Sequence, residues 1–185
     1  MRHNLKLKLG IAAIAILSVL AIAGPTSASA KCTGGGVSPA EIDVCTPTAK
    51  AKLLDNGTLV PPKSAPPRVK AVIAAANKIS RKPYIYGGGH ARWWDKGYDC
   101  SGAVSYALRG GKFLTSPLPS TGLEEWGIAG EGRWITVYSN PGHAYAVIAG
   151  YRWDTSGNSG DETGPRWHED LRESTGFVAR HPAGY

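Results

Sequence analysis

The sequence predicts an α+β domain, with helices first and a sheet of antiparallel strands second. Three observations predict it. Apolar residues recur at helical spacing from Pro67 to Ile79, and again from Cys100 to Leu108. From Arg133 onward the pattern changes to short runs rich in Val, Ile, Tyr and Trp. Those runs are separated by tight turn signals such as "SNPG" and "AG", as hairpins require.

Residues 1–30 read as a signal peptide, set apart from the fold. Arg2, Lys6 and Lys8 form a basic start, Leu9 to Ala23 an apolar run, and "ASA" at 28–30 a small-x-small cleavage pattern. An uncleaved anchor fits less well, because a span needs about 20 apolar residues. Lys31 in front of Cys32 argues against a lipoprotein. Residues 31–66 read as an N-terminal extension, with turn and extended signals in "CTGGG", "DNGT" and "PPKSAP". Residues 67–185 read as the functional domain.

Within that domain, Pro67 suits a first helical turn. Val69, Val72, Ile73, Ala76 and Ile79 share one helix face, and Lys82-Pro83 supplies a stop. "PYIYGGGH" is a short extended piece ending in three glycines, and "ARWWDKGY" a loop with two tryptophans. A second helix starts at Cys100 and ends at Gly110 and Gly111. Residues 112–133 read as loop. "RWITVYSN", "HAYAVIAG", "YRWDT" and "GFVAR" read as strands, with a polar connection over "SGNSGDETGPR".

The chain has 21 basic and 14 acidic residues. Without Arg2, Lys6 and Lys8, 18 basic residues remain against 14 acidic, a net +4 over residues 31–185. That mild charge suits an anionic cell wall, and no Lys/Arg cluster argues for nucleic acid. No segment after the leader is long and apolar enough to span a membrane, and a secreted monomer is expected. Three cysteines cannot all pair within one chain. A Cys32–Cys45 disulfide is the expected pairing outside the cytoplasm, and it leaves Cys100 free.

A sulfur at a helix start has its anion stabilised by unpaired backbone N–H groups, which can also hold an oxyanion. A nucleophilic cysteine needs a base. His143 opens a predicted strand, so it is carried on a rigid element. Asp154 on the following strand returns toward the His143 end if the two strands form a hairpin near Gly150. A carboxylate there would hold one ring N–H. His168 is the rival for that place. The histidines and cysteines do not fall at zinc spacing, and no metal or cofactor is expected. Trp93, Trp94 and Trp126 read as core or pocket-lining residues, with sugar stacking as the alternative.

Taken together, "PYIYGGGH", "DCSGAVSYAL", "GHAYAVIAG" and "YRWDTSG" resemble the NlpC/P60 family of cell-wall cysteine peptidases. The resemblance covers roughly Pro67 to Arg180. It implies a papain-like α+β fold, with Cys100 as nucleophile, His143 as base, and peptidoglycan stem peptides as substrate. Asp154 falls near the family's third polar residue, usually His, Asn or Gln, and is a departure. The resemblance further implies substrate binding by Tyr84, beside the nucleophile, and by Asp99 and Ser101. A non-catalytic wall-binding module and another papain-like acyl transferase or amidase are the competing functions.

Overall fold

The computed structural model describes residues 50–157 and 163–185. All of them fall in the compact unit Pro39–Tyr185. The predicted leader and the Cys32–Cys45 disulfide lie outside the described residues.

Among the described residues eleven elements follow one another. β1 (Lys52–Leu53) and β2 (Leu59–Val60) form a small hairpin. Then come α1 (Pro67–Ile79), α2 (Cys100–Gly110) and α3 (Ser120–Glu125). The remaining strands are β3 (Ile128–Ala129), β4 (Ile135–Asn140), β5 (His143–Ile148), β6 (Tyr151–Ser156), β7 (Thr163–His168) and β8 (Val178–His181). They make one six-stranded antiparallel sheet in the order β3-β8-β4-β5-β6-β7. The expected α+β architecture is the one observed.

α1 buries Val69, Val72, Ile73, Ala76 and Ile79, the face its spacing predicts. Full burial of each Val or Ile stabilises by roughly 1.5–3 kcal/mol relative to exposure. α1 packs on α2, and α2 on β5 and β6. Trp153, fully buried on β6, donates its indole N–H to the Ala103 carbonyl of α2 at 3.1 Å, which ties helix to sheet. Asn77 of α1 exchanges two hydrogen bonds with the Leu59 backbone and accepts the Trp167 indole N–H at 2.8 Å, so it joins the hairpin, the helix and β7.

Two tight turns set the strand register. Asn140 Oδ1 accepts the N–H groups of Gly142 and His143, each at 2.9 Å, closing the β4–β5 turn. Ala149 and Gly150 have φ of 49° and 85° in the β5–β6 turn. Positive φ at both central residues is the primed turn that matches strand twist, and glycine takes the second position without a Cβ penalty. The pairing Val147↔Arg152 puts Arg152 and Asp154 on the sheet face that carries His143 and Tyr145.

The structure departs from the sequence reading at four places. α1 ends at Ile79, with Ser80 as its cap, ahead of the Lys82-Pro83 stop. A hairpin stands at 52–60, where only turn and extended signals were read. α3 and β3 interrupt the predicted 112–133 loop; both are short, with little periodicity to read. "TGPRWH", whose first four residues fall in the predicted polar connection, is strand β7. Pro165 argues against a central strand, but β7 lies at the sheet edge, where a missing N–H is tolerated. Among the described residues no helix is long and apolar enough to cross a membrane.

The start of α2 is crowded by the glycine loop before it. A Cβ built on Gly102 would lie 2.1 Å from the Gly88 carbonyl oxygen. Gly102→Ala is therefore expected to destabilise the protein by about 1–3 kcal/mol, as overpacking does. Urea denaturation measures it; a variant with the wild-type midpoint and slope would show that the loop yields freely.

Candidate active site

Cys100 is the first residue of α2, partly exposed and not in a disulfide. The helix starts there because Asp99 is extended (φ −84°, ψ −178°) and its Oδ1 accepts the Gly102 N–H at 2.7 Å. A side-chain oxygen on the N3 amide is the usual N-cap and typically contributes about 1 kcal/mol. The glycine loop is bound to the same residue. Gly87 N–H donates to Asp99 Oδ2 at 3.0 Å, and Asp99 N–H donates to the Gly88 carbonyl at 3.2 Å.

Asp99 and Ser101 are both buried. Ser101 Oγ donates to Asp99 Oδ1 at 3.2 Å, and His90 Nε2 lies 3.0 Å from that oxygen and 3.2 Å from Ser101 Oγ. Asp99 thus braces the helix start, and its oxygens already meet four groups of this chain. His90, left without a role by the sequence reading, belongs to this cluster. Tyr84 forms an isolated parallel bridge with Tyr98 and is 40% exposed. Burial, then the neighbouring Cys100 and Asp99, push its hydroxyl pKa up, so Tyr84 stands beside the sulfur.

His143 comes from the other side, at the first position of β5, where the Asn140 turn holds its backbone. Its Nε2 lies 2.9 Å from Asp154 Oδ1 and 3.4 Å from Ser156 Oγ. Cys100 stands near enough to act on the ring's protonation. With Nε2 committed to Asp154, Nδ1 is the nitrogen left to meet the sulfur. Burial alone would make the ring give up its proton. The Asp154 hydrogen bond, the neighbouring Cys100 and the charge of Asp154 outweigh that and push His143 up to about 9. Phe177 and Tyr145 flank the ring, each with its centroid 6.4 Å away.

Asp154 is 1% exposed. Its burial works against ionisation, yet His143, the Ser156 N–H and Arg172 hold its carboxyl down at about 2. Oδ1 accepts from His143 and from the Ser156 N–H at 3.1 Å. Oδ2 accepts from Arg152 Nη1 at 2.7 Å and Arg172 Nη1 at 2.9 Å. Arg152 is itself fully buried and bonds the Asp170 carboxylate at 3.0 Å. His168 pairs in register with Arg152 at the end of β7, and the carboxylate on His143 is Asp154.

The structure thus brings Cys100, His143 and Asp154 together, with His143 bonded to Asp154 and Cys100 near its ring, and with Tyr84 and the Asp99–Ser101 pair beside the sulfur. The two arginines were not foreseen. Arg152 had a weak signal, since two positions apart on a strand puts it on the face of Asp154. Arg172 had none, because it lies in the irregular segment after β7. Trp93 and Trp126 are partly buried against the core. Trp94 is 58% exposed, with Lys82 Nζ 4.0 Å from its ring centroid.

No protein-family model matches the chain, and no curated protein matches its sequence. Several solved structures are similar. RipB of Mycobacterium tuberculosis, a peptidoglycan hydrolase, is 24% identical with a TM-score of 0.46; the match covers 61% of this chain and 64% of that one, less than two thirds of its length. The P60 domain of the MAP1204 antigen of M. avium subspecies paratuberculosis is 20% identical with a TM-score of 0.44, over 61% of this chain and 93% of that one. RipD of M. tuberculosis, a non-catalytic NlpC/p60 domain protein, is 17% identical with a TM-score of 0.47, over 63% of this chain and 98% of that one.

Both shifted groups carry stability. His143 titrates at about 9, above its ordinary 6.5, so its contribution is complete below pH 6.5 and lost as pH rises through 9. Asp154 titrates at about 2, below its ordinary 3.8, so its contribution is complete above pH 3.8 and lost as pH falls through 2. The pair is expected to stabilise most between about pH 4 and 6.5. Melting temperatures against pH measure this. His143→Ala should lose the decline between pH 6.5 and 9, and an equally steep fall in that variant would assign the decline to other groups.

Proposed function

We propose that this protein is a cysteine peptidase that hydrolyses amide bonds in peptidoglycan stem peptides. The observation that carries the chemistry is His143 bonded to buried Asp154, with Cys100 at the start of α2 near enough to act on the same ring. A nucleophile, a base and a group orienting the base in hydrogen-bond sequence is the arrangement of covalent acyl-transfer catalysis. The cell-wall substrate is supported by the motif set "PYIYGGGH", "DCSG" and "GHAYAVIAG", and by the mild net positive charge. The leader-like residues 1–30 support action outside the cytoplasm.

In this reading His143 takes the Cys100 thiol proton, and Sγ attacks the scissile carbonyl carbon. The Cys100 N–H at the helix start stabilises the oxyanion, with Tyr84 beside it. The imidazolium then gives its proton to the leaving nitrogen as the C–N bond breaks. Water, deprotonated by His143, attacks the thioester, which releases a carboxylic acid and restores the thiol. Asp154 keeps one ring nitrogen occupied, so the other faces the sulfur throughout. Tyr84, Asp99 and Ser101 line the approach to the nucleophile, Asp99 acting mainly as the brace of the helix start.

Purified sacculi digested with wild type and with Cys100→Ala, followed by mass spectrometry of the muropeptides, test the reading. New stem-peptide fragments are expected with wild type only. The variant should be slower by at least about 10⁴-fold, since losing the nucleophile leaves only binding and oxyanion terms. An unchanged muropeptide profile with wild type, or equal products from the variant, would sink the proposal. An acylated acceptor in place of free acid would redirect it to acyl transfer.

A further inference from the structure

We propose that Arg172 is a positioning residue for the His143–Asp154 pair. It aims Asp154 Oδ1 at the imidazole, and it shares the carboxylate's charge so that the imidazolium can release its proton. The link to turnover rests on the hydrolase reading above; the geometric role does not.

The two arginines on Asp154 are not equivalent. Arg152 also bonds the Asp170 carboxylate at 3.0 Å, so its charge has a second counter-ion. Among the described residues, Asp154 is the only carboxylate paired with Arg172. The Arg172 guanidinium is held in place on several sides. Its Nη1 donates to Asp154 Oδ2 at 2.9 Å and to Ser156 Oγ at 3.1 Å. Its carbon lies 5.3 Å from the Tyr145 ring centroid and 5.8 Å from that of Phe177. Ser156 Oγ in turn touches both Asp154 Oδ1 and His143 Nε2. One guanidinium nitrogen from the segment after β7 therefore joins Arg152 in fixing how the carboxylate is turned.

The charge consequence follows from position. An unshared buried carboxylate would bind the imidazolium proton too tightly for transfer to a departing amine. A cation on the far oxygen weakens that hold. The other groups facing His143 do not supply this balance. Cys100 approaches from α2. Tyr145 on β5 is pushed up to about 12 and stays neutral over the working range. Arg152 also bonds Asp154 Oδ2, but divides its charge with Asp170, and Glu173 is turned to Ser174 and Thr175.

The His143 ring, followed by ¹⁵N NMR against pH in intact protein and assigned by its loss in His143→Ala, tests the role without turnover. Arg172→Gln is expected to move the ring's midpoint up by roughly half to one pH unit. Arg172→Lys keeps a cation and should stay within about 0.3 unit of wild type, because charge sets the balance. On stem peptides the alkaline limb of kcat/KM should move with the ring. A glutamine variant titrating like wild type, or a lysine variant shifted as far as the glutamine one, overturns the proposal. Should the glutamine variant fail to fold, Arg172→Met takes its place under the same limits, and a wild-type midpoint there overturns the proposal. Absence of stem-peptide cleavage by wild type would sink the hydrolase reading, and the titration would still decide the part played by Arg172.

Discussion

The site turns on one buried carboxylate, that of Asp154. An ionised carboxylate with 1% exposure costs several kcal/mol unless its oxygens are filled. Asp154 meets that cost with donors on both oxygens. Ser156 and His143 take one, and two guanidinium groups take the other. Because the far oxygen is saturated, the near one has a defined direction, and the imidazole is held by it. The β5–β6 turn is the structural condition, since its register brings Asp154 back along the strand to the level of His143.

The nucleophile is positioned by an independent device. Asp99 caps α2, and the glycine loop is bonded to that cap through the Gly87 amide and the Gly88 carbonyl. The helix start is thereby fixed to the loop that carries Tyr84 and His90. Trp153 and Ala103 then lock the helix to β6, the strand that holds Asp154. Sulfur, imidazole and carboxylate are therefore mounted on a helix and a sheet that pack together and are tied by a buried indole. A side chain on a helix or strand end is held more accurately than one on a free loop.

The same buried carboxylate explains why the aromatic residues around the site matter. Phe177 and Tyr145 close over the imidazole and the Arg172 guanidinium. Their apolar faces cover part of the cluster from solvent, which strengthens the charge contacts beneath them. Trp93 and Trp126 serve packing instead, and Trp94 presents its ring to solvent beside Lys82.

Periodicity and turn chemistry made much of this protein legible in advance. The apolar face of α1, the start of α2 at Cys100, and the strands at 135–140, 143–148 and 151–156 follow from local spacing, which each segment carries within itself. So does the candidacy of Cys100, His143 and Asp154, because a helix start, a strand mouth and a hairpin partner are local features. Local spacing could not decide anything that depends on distant neighbours. β7 contains a proline and becomes a strand only because an edge of the sheet accepts it. The bracing of the helix start by Asp99 is equally non-local, since its partners Gly87 and His90 approach through the folded loop. Arg172 sits in an irregular segment with no pattern of its own. Only the tertiary structure brings it to Asp154, because the need for a second cation exists only once that carboxylate is buried.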